Sequence, residues 1–121
     1  MKMGTLLIFA LELALLFTHE MDAVYRQEWK MFVILKDMAA EDAFRIFLLL
    51  HIPLYTAILC LLLSEYHQAG IYITDIFLIL HMLVHLAFGK HPANQLNGSI
   101  SKAIIGSAGI LALIHLAVIS L

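Results

Sequence analysis

AFRIFLLLHIPLYTAILCLLLS, residues 43–64, decides the fold. Its only charged residue is Arg45, and its other breaks in apolar character are His51, Pro53, Thr56 and the terminal Ser64. A run of this kind is long enough to cross a hydrocarbon core of about 30 Å, which takes roughly 20 helical residues. Working outward, residues 3–18, 71–88 and 103–121 form three more apolar stretches of near-spanning length. The expectation is an all-α fold: an integral membrane four-helix bundle in one domain over residues 1–121, solvated by the lipid bilayer.

Composition supports that reading. The chain has 121 residues, 63% of them hydrophobic and 13% charged, with a mean hydropathy of +0.96. A soluble domain of average composition carries about 45–50% apolar and about 25% charged residues. The net charge is −2 and no two basic residues are adjacent, so the electrostatic footprint of a nucleic-acid binder is missing. Cys60 is the sole cysteine, which excludes an internal disulfide framework.

The first stretch is short and contains Glu12, so a cleaved signal peptide is the rival reading there. No small-x-small cleavage site follows. THEMDAVYRQEWKMF, residues 18–32, continues without Gly or Pro, as though the helix simply leaves the bilayer. Within residues 19–42, Val24, Tyr25, Trp29, Phe32, Val33 and Leu35 recur at spacings near three and four, which predicts an amphipathic interfacial helical segment between spans 1 and 2. Trp29 is expected at headgroup depth. Basic residues set the orientation: the first and third loops hold Arg26, Lys30, Lys36, Arg45, Lys90 and Lys102, while the opposite side holds only Lys2. Cytoplasmic loops carry the excess of Lys and Arg. Both termini are therefore expected outside the cytoplasm, which is the periplasmic side if the membrane is a bacterial inner membrane.

Ionisable side chains inside a span are costly and mark function by default. Counting about 1.5 Å of rise per residue from the cytoplasmic end of each apolar stretch puts His19 and His85 within one turn of the boundary, and Glu12, His51 and His81 roughly 10 Å deep. His115 falls deeper and is expected outside that cluster. His81 and His85 are four apart and share a helix face, as do Glu12, His19, Asp22 and Arg26. Imidazoles at i and i+4 chelate a divalent transition metal. The expected metal ligands are thus His19, His51, His81 and His85, with His91 closing the site and zinc or iron as the ion. Glu12, Glu20 and Asp22 are the candidate acid/base groups, acting on a lipid-soluble substrate. The plain alternative for His81 and His85 is a pair of core imidazoles bonded to their neighbours.

Other polar residues carry blander expectations. Asp22 and Arg26 form an i, i+4 ion pair on a solvated face that also takes Glu28, and His67 lies in an exposed turn. Pro53 is expected to kink the second span beside His51. The fourth span is rich in small residues, Ala103, Gly106, Ser107, Ala108, Gly109 and Ala112, which permits close helix approach and suggests a homo-oligomer or a larger membrane complex. Two rival functions follow. One is an electron-transfer subunit with haem b held axially by His51 and His81, against which stands that only Arg45, Lys90 and Lys102 are near enough to partner its propionates. The other is a non-catalytic accessory subunit whose polar groups only bind helices together.

THEMDAVYRQEW (residues 18–29), HIPL (51–54) and HMLVHLAFGKHPANQLNG (81–98) together resemble a family of short bacterial four-span membrane proteins classed as a domain of unknown function. The THE-D and H-x3-H…HP patterns are the most specific parts. The resemblance covers most of the chain and implies a membrane bundle of bacterial type without supplying a mechanism. An H-x-x-E-E signature known from other small membrane families is not met, since Glu20, Met21 and Asp22 follow His19.

Overall fold

The computed structural model describes residues 1–121 and contains four long helices and no strand. They are α1 (Met3–Tyr25), α2 (Ala40–Leu63), α3 (His67–Ala87) and α4 (Ser99–Ser120). Each is long and apolar enough to cross a membrane. All four exceed or shift the apolar stretches that announced them. The helix period continues into polar residues wherever no breaker intervenes, so α1 runs seven residues beyond Thr18 and α3 begins at His67. α2 passes through Pro53 without interruption. Its first turn carries Glu41 and Asp42, which complement the positive end of the helix dipole. At its other end the Ser64 hydroxyl donates to the Leu61 carbonyl at 2.8 Å and accepts from the Tyr66 backbone N–H at 3.1 Å. That turn delivers the chain directly into α3.

The segment between α1 and α2 differs from the expected continuous interfacial helix. Its only helical element is a 3-10 turn at Glu28–Met31. Gln27 stops α1, with φ 56° and ψ 46° in the left-handed region, a conformation that cannot extend a right-handed helix. The reversal folds the segment back under the bundle, where Trp29 and Leu35 join Ala23, Ala43 and Phe47 in an apolar cluster. Of the residues that carried the period of three and four, Trp29 and Leu35 are buried against protein, whereas Tyr25, Phe32 and Val33 stay exposed.

α4 packs against both α1 and α3, and α2 packs mainly on α3. α2 buries only Ala43 and Phe47 along its length, leaving most of its apolar surface outward, as lipid solvent requires. Part of the small-residue set of α4 is used inside this chain: Ala108, Gly109 and Ala112 are buried between α1 and α3. A Cβ built on Gly109 falls 2.5 Å from Met82 Sδ and 2.6 Å from Met82 Cβ, so only glycine admits α3 this closely. Ala103, Gly106 and Ser107 are not among the buried residues of α4. Leu16, Leu78, Ala108 and Ala112 close into a dry layer at mid-bundle.

Candidate metal centre

Three imidazoles from two helices meet near one end of the bundle. His19 lies seven residues after Glu12 on the inner face of α1, and His81 and His85 lie one turn apart on α3. His81 Nε2 is 2.8 Å from His19 Nε2 and 3.2 Å from His85 Nε2. The three rings stand edge to face, with centroids 4.6–4.8 Å apart. Each Nε2 offers either one proton or one lone pair, so hydrogen bonding cannot satisfy three of them pointing at one another. A cation accepts all three lone pairs at once. A tetrahedral zinc with bonds of about 2.0–2.1 Å separates its ligand atoms by roughly 3.3 Å, close to the spacing of these nitrogens. His19 Nδ1 is buried without a partner.

The reversal at Gln27 brings in a fourth group. Glu28 lies with Oε2 3.8 Å from His19 Nε2 and Oε1 3.8 Å from His85 Nε2. The residue is 8% exposed, and no donor satisfies Oε2. Burial, reinforced by the charge of Glu20, pushes the Glu28 carboxyl up to about 7. Three imidazoles and one carboxylate make a donor set suited to zinc, iron or another borderline divalent ion.

Beside this group stands a separate pair. His51 Nε2 lies 2.7 Å from Glu20 Oε2, and His51 Nδ1 donates to the Phe47 carbonyl at 2.7 Å. With Nδ1 bearing its proton, the Nε2 contact holds one further proton shared between imidazole and carboxyl. A cavity of about 210 Å³ reaches this pair and His81 between Phe32, Phe47, Leu54 and Phe77. A second, also about 210 Å³, reaches Glu28, His81 and His85 past Met31, Val84 and Phe88.

A third polar group lies on the far side of the dry layer. Glu12 from α1, Asp75 from α3 and His115 from α4 are all 0% exposed. His115 Nδ1 is 3.0 Å from Asp75 Oδ2 and 3.9 Å from Glu12 Oε1.

The family model described as "Family of unknown function (DUF6713)" matches residues 5–121. The chain belongs to this family. No curated protein and no solved structure matches it. All the groups described above lie within the matched residues, so they belong to the family's domain.

The expected site residues divide accordingly. His19, His81 and His85 converge. His51 does not join them, because its Nε2 is engaged by Glu20. His91 lies in the α3–α4 loop, where its Nδ1 accepts from the Ala93 backbone N–H at 3.0 Å. Glu12 belongs to the group with Asp75 and His115. Asp22 accepts from Arg26 Nε at 3.4 Å and from the Ser101 hydroxyl, tying α1 to α4 and taking it out of the cluster. Glu20 alone of the carboxylate candidates borders the histidines, through His51. Depth counting misplaced Glu12 because α1 ends at Tyr25 rather than Thr18. From the true helix ends His19 and His81 are each about 9 Å deep, whereas Glu12 and Asp75 are about 18–20 Å deep. Glu28, Asp75 and His115 were missed. Glu28 reads as solvated until the chain reverses, while Asp75, an ionisable residue within the third apolar stretch, carried a signal in plain view.

Proposed function

We propose that this membrane protein binds one divalent transition-metal ion through His19, His81 and His85, with Glu28 as the fourth group. The observation that carries the reading is the meeting of three Nε2 atoms that no set of hydrogen bonds can satisfy. The unpartnered, buried Glu28 carboxyl beside them supports it. Basic residues cluster in the loops at this end of the bundle, which favours the cytoplasmic side. The ion would act as a Lewis acid and lower the pKa of a bound water. With Glu28 in the fourth position such a water would enter as a fifth ligand, and the Glu20–His51 pair beside the site holds an exchangeable proton. Two of the three cavities that reach the histidines are walled by Phe32, Phe47, Leu54, Phe77, Val84 and Phe88, which suits a lipid-soluble substrate approaching from the bilayer; the third, about 560 Å³, touches His85 beside Lys90 and Lys102.

Haem b is less well supported. His51 and His81 would have to face opposite sides of a flat macrocycle, yet both Nε2 atoms are already engaged by side chains. The discriminating experiment is metal analysis joined to a visible spectrum of protein purified in detergent. A colourless sample containing zinc, or a ferrous sample without a Soret band, agrees with the proposal, and His81→Ala then abolishes that ion's binding. A Soret band overturns it in favour of haem. A sample that stays free of metal after exposure to Zn²⁺ and Fe²⁺ overturns it in favour of an accessory subunit held together by polar contacts.

A further inference from the structure

We infer that Glu12, Asp75 and His115 form a second metal site, which takes a divalent first-row ion of the manganese, iron or zinc kind and is sealed inside the bundle. The three residues come from three different helices, and one ligand atom from each lies within 4.8 Å of the others. His115 Nδ1 faces both carboxylates at once, at 3.0 Å and 3.9 Å. Cis ligands of an octahedral ion with bonds near 2.1 Å are roughly 3 Å apart, so the three donors need only small shifts to share one centre. No backbone N–H, amide or hydroxyl group hydrogen-bonds either Glu12 oxygen, although the residue is fully buried; the Asp75 carboxyl is the one neighbour with which it can share a proton.

Charge points the same way. Ionised carboxylates in an apolar interior are expensive unless paired, and Glu12 and Asp75 are fully buried together beside one imidazole. A divalent cation would offset the charge of both carboxylates and satisfy the unpartnered Glu12 oxygens. The donor set is also harder than the three-imidazole group, since carboxylate oxygens suit manganese and iron as well as zinc. Glu12 and His19 are seven residues apart on α1, about 10 Å along the axis, with Leu16, Leu78, Ala108 and Ala112 packed between the two groups. Ions that form one dinuclear centre sit about 3.5–4 Å apart. The two sites are therefore independent, the outer one reached by cavities and the inner one loaded as the helices assemble.

The test is the number of Zn²⁺ ions retained per chain by full-length protein in detergent, loaded with Zn²⁺, freed of unbound metal and counted by mass spectrometry. Wild type should retain two, His81→Ala one, and Glu12→Gln and Asp75→Asn one each. A combined His81→Ala, Glu12→Gln chain should retain none. Brief chelation with EDTA should strip one ion from wild type and leave the other until the protein unfolds. If Glu12→Gln does not fold, as judged by helical circular dichroism, Asp75→Asn carries the test. Wild-type counts in both carboxylate variants overturn the inference and identify the group as a proton-sharing hydrogen-bond node. A single wild-type ion lost with His81→Ala overturns it while sparing the outer site. A single ion lost with Glu12→Gln supports the inner site and overturns the outer one.

Discussion

Glu28 illustrates how one residue's role depends on a backbone dihedral next door. Gln27 in the left-handed region turns the chain, and the carboxyl that a continuing helix would have left in solvent is instead aimed at His19 and His85. Replacing it by Gln keeps the volume and removes the anionic ligand. Glu28→Gln is expected to weaken Zn²⁺ binding at the outer site at least tenfold, in line with the 10–100-fold losses that follow even when groups supporting a ligand are removed. Competition titration against a chromogenic chelator checks it, and an unchanged affinity would show that Glu28 does not reach the ion. At Gln27 itself, a β-branched residue is strained in the left-handed region by about 1–2 kcal/mol, whereas glycine is not. Gln27→Val should lower the thermal midpoint in detergent, and Gln27→Gly should hold or raise it. Equal midpoints would mean that the turn tolerates another backbone conformation.

Between helices, close packing of small residues substitutes for the hydrophobic effect, because lipid tails solvate leucine as well as a neighbouring helix does. The α3–α4 seam shows the consequence at Gly109, whose missing side chain makes room for Met82. Gly109→Ala forces an overpacked contact, for which about 1–3 kcal/mol of destabilisation is expected. Gly106→Ala on the same helix meets nothing within 4 Å and serves as the control. Detergent-titrated unfolding should separate the two variants, and equal stability would mean that Met82 swings aside at no cost. The seam also positions chemistry: α3 carries Asp75, His81 and His85, so moving it away from α4 separates Asp75 from His115.

Over the whole molecule, three polar groups and one apolar layer are stacked along the bundle. The histidine–glutamate group and the Glu20–His51 pair lie toward the end that bears Arg26, Lys30, Lys36, Lys90 and Lys102. The Glu12–Asp75–His115 group lies beyond Leu16 and Leu78. The inner group is fully buried, and the layer stands between it and the histidine end. Truncating it by Leu16→Ala leaves a cavity worth about 2–5 kcal/mol of stability, and it should also speed the loss of the inner Zn²⁺ to EDTA. An unchanged exchange rate would place the barrier elsewhere. Charge asymmetry predicts the sidedness. A reporter active only outside the cytoplasm should give signal when fused after Leu121, and none when inserted at Asn94. The opposite pattern would invert the orientation and put the histidine site on the outer face.

Four spans, the absence of strands and the membrane as solvent were legible in the sequence, because a bilayer imposes one length and one polarity on every element that crosses it. The inward faces of His19, His81 and His85 were legible too, since a helical period fixes which residues share a stripe. What the period does not contain is the azimuth of one helix relative to another, nor where a helix ends when polar residues continue its pattern. Those depended on the reversal at Gln27, the approach of α3 to α4 at Gly109 and the seven extra residues of α1. They sent His51 to Glu20, brought Glu28 to the histidines and gathered Glu12 with Asp75 and His115. Depth along a helix is local and can be counted. Convergence between helices is a property of packing, which only the tertiary structure decided.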